Sequence, residues 1–94
     1  MPAQPTGVHI KIRGRVQGVG FRYFAQAAAL QAGLTGWVRN CPDGDVEAEA
    51  EGPSEAVIDW IETLKKGPPL ARVQSVQCDW QAPAGMYQDF SIHP

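Results

Sequence analysis

This chain of 94 residues has little cysteine and lacks any long apolar run. Cys41 and Cys78 are too few and too far apart for a disulfide scaffold or a zinc site, so we expect two unpaired thiols and no bound metal. No segment approaches the roughly 18 apolar residues of a membrane span. Residues 1–6 lack the pattern of a secretory signal. We therefore expect one cytoplasmic domain over residues 1–94, with residues 1–6 as a flexible extension and no membrane partner.

Acidic residues are absent from positions 1–42, which carry five basic ones. Positions 43–62 show the reverse, with eight acids and no base. The basic half contains the glycine-rich stretch 14–22, and its field favours a small anion there. A long polyanion would also meet the acidic half, so this distribution argues against a nucleic-acid partner.

The periodicity of apolar residues predicts a βαββαβ order followed by a short last strand. Strands are indicated near residues 8–13, 37–41, 46–51, 73–80 and 90–92, and helices near 21–32 and 54–66. The fold class that this order predicts is an α+β, ferredoxin-like sandwich. We expect an antiparallel-dominated sheet of four to five strands in the order 4-1-3-2-5, with two helices on one face. A phase change between Val73 and Val76 indicates a bulge, and Trp37 and Trp60 are expected in the core.

The corner between the first strand and the first helix is rich in glycine. Residues 14–22 contain three glycines and two arginines, and backbone amides, a helix N-terminus and a guanidinium together favour anion binding. The stretch has no Ser, Thr, Cys, Asp or Lys, so a bound anion would meet no side-chain nucleophile. The first two strands are joined by a helix, so they should be parallel and end at one edge of the sheet. Asn40 ends the second strand, and we expect it to face Arg22.

Other phosphate-binding loops do not fit this stretch. A Walker A loop needs Gly-Lys-Ser/Thr, and no lysine follows these glycines. The dinucleotide fingerprint needs a third glycine where Tyr23 stands. A thiol-dependent phosphatase needs a cysteine ahead of the arginine, and none stands in residues 14–22. An RNA-recognition domain of this fold would carry aromatic residues on its third strand, which here has Glu47, Glu49 and Glu51.

Two motifs resemble those of the acylphosphatase family. Residues 14–22, Gly-Arg-Val-Gln-Gly-Val-Gly-Phe-Arg, resemble the family signature Gly-x-Val-Gln-Gly-Val-x-Phe-Arg. Residues 36–40, Gly-Trp-Val-Arg-Asn, together with residues 43–47, Asp-Gly-Asp-Val-Glu, are similar to its second motif. The likeness extends through residues 67–69 to the last strand, and the chain departs from the family pattern at the tail, His93-Pro94, where a basic residue is common.

The resemblance implies a hydrolase that cleaves acyl phosphates to a carboxylate and inorganic phosphate without a metal or cofactor. Arg22 would bind the phosphoryl oxygens, and Asn40 would hold the attacking water through its side-chain amide. The resemblance also implies that backbone amides of the loop bind the phosphate; these belong to Val16, Gln17, Gly18, Val19, Gly20 and Phe21.

The expected partners are therefore a small acyl phosphate as substrate and inorganic phosphate, or another small anion, as product or inhibitor. We expect a monomer. The alternative is a non-catalytic module that binds phosphate or carbamoyl phosphate without turning it over.

Overall fold

The computed structural model describes residues 4–94, which form a five-stranded sheet and two helices. The elements are β1 (Pro5–Arg15), α1 (Phe21–Gln31), β2 (Thr35–Asn40), β3 (Val46–Pro53), α2 (Ser54–Lys66), β4 (Arg72–Gln81) and β5 (Phe90–Ile92). The strand order is β4-β1-β3-β2-β5. All neighbouring strands are antiparallel except β2 and β5, which are parallel. The predicted fold class and strand order are confirmed.

Strand β1 begins earlier than the sequence pattern suggested. Pro5 and Thr6 pair with Pro53 and Gly52 of β3. They therefore belong to the sheet and not to a flexible extension over residues 1–6, and the part of that prediction on residues 1–3 lies outside the described residues. The alternation predicted for β1 is confirmed, because Val8 and its two apolar successors at positions 10 and 12 are fully buried.

Both helices pack on one face of the sheet and enclose the core between them and the strands. Trp60 of α2 is 1% exposed, as predicted. Its indole Nε1 donates to the Ala25 carbonyl of α1 at 3.1 Å, and its ring meets Phe90 of β5 edge-on at 5.7 Å between centroids. The one polar atom of this large side chain is thus satisfied, which allows its complete burial. Trp60 thereby joins α2, α1 and β5.

Two irregularities shape the sheet where its strands approach most closely. Arg13 pairs with Ser75 but Gly14 pairs with Val73, so Gln74 is the extra residue of a bulge in β4, as predicted. Gly36 has a φ of 148°, and a Cβ there would overlap the Glu49 carbonyl of β3. Position 36 therefore requires glycine for β2 and β3 to pair.

On the face of the sheet opposite the helices, the position of Trp37 differs from the expectation. Trp37 was expected in the core but lies on this open face, partly exposed, because Gly36 and Val38 take the core-facing positions of β2. Its Nε1 donates to the Tyr87 hydroxyl at 3.2 Å, and its ring stacks on His93.

The ion pair of Lys11 on the open face departs from the cross-strand register. Lys11 lies opposite Glu47, yet its ammonium group bonds Asp43 at 2.8 Å and lies 3.6 Å from Asp45. Glu47 instead accepts from Arg39 and His9. No helix within residues 4–94 has the length and apolar character needed to cross a membrane.

Candidate functional site

The loop between β1 and α1 turns on two glycines with positive φ. Gly18 has φ 73° and Gly20 has φ 78°, a left-handed conformation that glycine adopts without steric cost. Gly20 is the N-cap of α1, no side chain of residues 4–94 caps this end, and no acidic residue lies in the first turn. The first backbone amides of an α-helix have no partner within the helix. They carry the positive end of its dipole, so this corner attracts an anion.

A pocket of about 110 Å³ lies at this corner, between the loop and the end of β2. It is lined by Val16, Gly18, Gly20, Phe21, Arg22, Tyr23 and Asn40. The structure thus places Arg22 and Asn40 in one pocket, as predicted from the shared edge of the sheet. Four of the six loop residues named from the sequence also line this pocket. Gln17 and Val19 are not part of the lining, and Tyr23 is a pocket residue that the sequence reasoning missed.

Arg22 lies in the first turn of α1 with an unpaired positive charge. Its Nη1 donates to the backbone carbonyl of His93 at 3.3 Å. Within residues 4–94 no carboxylate lies within salt-bridge distance of its guanidinium. Most of its five donors are therefore free, and their planar arrangement matches the oxygens of a phosphoryl group. Arg22 is suited to bind an anion in the pocket.

Asn40 enters the pocket because successive residues of β2 alternate between the two faces of the sheet. Val38 is buried against the helices, and Arg39 is exposed on the open face. Asn40 lies on the same side as Val38 and is partly exposed. Its side-chain amide forms no hydrogen bond to any of the described residues. It therefore has a donor and an acceptor available in the pocket.

Gln17 joins the loop to the turn that follows Asn40. Its side-chain Nε2 donates to the Cys41 carbonyl at 2.7 Å and to the Asp45 carbonyl at 2.9 Å. Asn40 is adjacent to Cys41, so these two bonds connect the two sides of the pocket. The sequence indicated only the backbone amide of Gln17. Its side-chain role depends on residues 24 and 28 positions away, which no local pattern reveals.

The acidic residues that follow Asn40 are neutralised on the open face of the sheet. The hydrogen bond from Lys11 to Asp43 lowers the pKa of the Asp43 carboxyl. Burial by itself would raise the pKa of Glu47, but hydrogen bonds from His9 and Arg39 lower it. None of these carboxylates lines the pocket. A bound anion would thus meet the free charge of Arg22 without an opposing carboxylate beside it.

Cys41 is close to Asn40 in sequence but is not a nucleophile of the pocket. The residue is 9% exposed, and its Sγ lies 3.9 Å from Glu47 Oε1 on the open face. Burial, with the charge of Glu47, raises the pKa of its thiol. A neutral, buried thiol is unreactive. Cys78 is also a free thiol, and among residues 4–94 no group of three His, Cys, Asp or Glu side chains is placed to hold a metal ion.

The sequence and the fold of this chain are similar to those of known proteins. The sequence model of the family described as acylphosphatase matches residues 8–92. The acylphosphatase of Syntrophotalea carbinolica is 46% identical over 89 residues, which cover 95% of this chain and 97% of that protein. That of Thermus thermophilus is 53% identical over 75 residues, covering 80% of this chain and 85% of that protein.

A solved structure shares the fold as well as the sequence. The crystal structure of acylphosphatase from Bacillus subtilis superposes with a TM-score of 0.92 at 40% identity, covering 95% of this chain and 99% of that one. The family match spans both sides of the pocket, from the glycine loop through Asn40. With this extent of similarity in sequence and in fold, the chain belongs to the acylphosphatase family and is a hydrolase of acyl phosphates.

Proposed function

We propose that this chain hydrolyses acyl phosphates by direct attack of water on phosphorus, with Arg22 and the loop amides binding the phosphoryl group and Asn40 positioning the water. One observation carries the proposal. One small pocket is lined by Arg22, Asn40 and part of the glycine loop, and among residues 4–94 none of its lining residues is a Ser, Thr, Cys, Asp, Glu, His or Lys that could act as nucleophile or general base.

Binding of the phosphoryl group uses charges that are already in place. In phosphoryl transfer, negative charge lies on the equatorial oxygens, and catalysis consists chiefly of positioning and of stabilising that charge. Arg22 is held by the His93 carbonyl at one donor, which leaves the others for phosphoryl oxygens. The amides at the start of α1 and in the loop contribute further donors. Little reorganisation is needed at the moment of reaction.

The attacking water is placed by Asn40, on the β2 side of the pocket. Its carboxamide oxygen accepts a hydrogen bond from the water, or its amide donates one to the water oxygen, and either bond directs the water lone pair at phosphorus. The water oxygen forms its bond to phosphorus as the bond from phosphorus to the acyl oxygen breaks. The electron pair of that bond leaves with the carboxylate.

The leaving group explains why the pocket needs no acid. A carboxylate has a conjugate acid with a pKa of about 4 and departs without protonation. The proton of the attacking water passes to a phosphoryl oxygen, since no described side chain of the lining is a base in the neutral range. The products are a carboxylate and inorganic phosphate.

The proposal is tested by hydrolysis of benzoyl phosphate in the presence of EDTA at a series of pH values. We expect turnover to persist without metal, and the profile of kcat/KM to show no essential protein base with a pKa between about 5 and 8. Loss of activity in EDTA, or such a base, would contradict the mechanism. Binding of phosphate without hydrolysis would instead support the non-catalytic module.

Removal of the Gln17 side chain should lower activity although this side chain does not line the pocket. Because Nε2 of Gln17 holds the carbonyls of Cys41 and Asp45, Gln17→Ala should let the loop and Asn40 move apart and reduce kcat/KM by roughly ten- to a hundredfold. Gln26→Ala is the matched control. Gln26 Nε2 donates to the Phe90 carbonyl at 2.9 Å, and neither residue lines the pocket. Equal losses of activity in both variants, measured with benzoyl phosphate, would show a general effect on stability.

We also propose that the protein is a cytoplasmic monomer. Two free thiols are compatible with a reducing compartment. Of the two edge strands, β5 has only three residues and β4 carries the bulge at Gln74, and both features hinder pairing with a second sheet. The mass in solution, against 10.2 kDa for one chain, tests the monomer.

A further inference from the structure

The pocket encloses less than a whole substrate. Its volume is about 110 Å³. Sites that surround a complete small-molecule ligand measure roughly 300–1,000 Å³. In the function proposed above, the phosphoryl group occupies the space beside Arg22 and the loop. The acyl group must then extend past the rim, and a rim residue determines what it contacts.

Only one side chain of the lining offers free apolar surface. Val16 and Phe21 are each 1% exposed, so their side chains already pack in the core and have almost no area left for a ligand. The lining glycines have no side chain, and Arg22 and Asn40 are polar. Tyr23 is 70% exposed. Among the described residues of the lining, Tyr23 is therefore the apolar contact that an extending acyl group can reach.

We propose that the Tyr23 ring contacts the acyl group and makes this enzyme prefer aromatic and larger apolar acyl phosphates over acetyl phosphate. The inference rests on the proposed function, because it assumes that phosphate fills the inner part of the pocket. Tyr23 lies in the first turn of α1 and lines the same pocket as Arg22, which places it beside the phosphate site. A tyrosine ring offers a large flat surface with few rotatable bonds, so a ligand orders it at low entropic cost. An aromatic acyl group would remove water from that surface, whereas an acetyl group covers little of it.

The test compares two substrates in the same enzyme. The ratio of kcat/KM for benzoyl phosphate to that for acetyl phosphate should fall about three- to tenfold in Tyr23→Ala, the scale of an aromatic contact at an exposed site. Tyr23→Phe should keep the ratio, because the ring and not the hydroxyl makes the contact. Leu30→Ala is the matched control, since Leu30 is an apolar residue of the same helix, is 55% exposed and does not line the pocket. It should leave the ratio unchanged.

Competitive inhibition by inorganic phosphate separates this inference from the proposed function. Phosphate has no acyl group, so its inhibition constant should stay within about twofold in Tyr23→Ala if the ring contacts only the acyl part. An unchanged substrate ratio in Tyr23→Ala, or a loss of phosphate affinity equal to the loss for benzoyl phosphate, would overturn the assignment of Tyr23 while Arg22 and Asn40 kept their roles. Failure of the wild type to hydrolyse either substrate would overturn both.

Discussion

Arg22→Gln is expected to reduce kcat/KM for benzoyl phosphate by at least about 10²–10³-fold, the cost of removing a placed charge contact to the reacting group. Glutamine keeps a donor and much of the side-chain length but loses the positive charge and the planar pair of donors. The inhibition constant for inorganic phosphate should rise as well. The same guanidinium binds the phosphoryl group in the ground state, so the substitution should raise KM and lower kcat.

Arg15→Gln is the control for this experiment. Arg15 belongs to the same basic stretch and is exposed, but it does not line the pocket. Its removal lowers the net charge by the same amount, so it measures the contribution of the overall field. We expect a loss of only a few-fold that shrinks as salt is added. An equal loss in both variants would show that Arg22 acts through the field alone and would contradict its role as a phosphoryl ligand.

Asn40→Ala is expected to lower kcat by about 10²-fold or more while phosphate inhibition stays near its wild-type value. The alanine leaves Arg22 and the loop amides unchanged but removes the group that orients the water. Water in the pocket then samples many orientations, and few of them lead to attack on phosphorus. Single-turnover rates of benzoyl phosphate hydrolysis, set beside the phosphate inhibition constant, separate this loss from a loss of binding.

Two further variants sharpen the result at Asn40. Asn40→Asp keeps the shape of the side chain but introduces a negative charge beside the phosphate, so it should impair both kcat and phosphate affinity. Arg39→Gln changes the adjacent residue on the opposite face, where Arg39 bonds Glu47, and should retain activity. Near wild-type turnover in Asn40→Ala would contradict the assignment of Asn40 to the water.

Local patterns were sufficient for the elements that depend on neighbouring residues. Alternation in β1 identified its buried face, because side chains of a strand point to opposite sides in turn. The dipeptide Asp43-Gly44 is typical of a tight turn, and Gly44 has φ 97° between β2 and β3. The helix predicted near residues 54–66 ends at Lys66, with Gly67 as its C-cap. Each of these features is determined within a few residues of chain.

Contacts between distant residues could not be inferred in this way. Trp37 is apolar and adjacent to a buried valine, yet the phase of β2 places it on the open face against Tyr87 and His93. Lys11 bonds Asp43 and not Glu47, the residue opposite to it in β3, because the turn brings the Asp43 carboxylate within reach of the long lysine side chain. These choices among partners of similar chemistry depend on distances of a few ångströms, which charge and hydropathy patterns do not contain.

For the pocket itself, the sequence alone determined the glycine loop, the arginine at the start of α1, the asparagine at the end of β2, and the lack of a nucleophile among residues 14–22. The sequence also predicted that Asn40 faces Arg22 at one edge of the sheet. Only the tertiary structure decided the size of the cavity that they line, that the Gln17 side chain joins its two sides, and that Tyr23 stands exposed in its lining. The physical reason is that backbone conformation and residue chemistry are local properties. Side chains from β2, α1 and the loop come together only when the whole chain folds around one core.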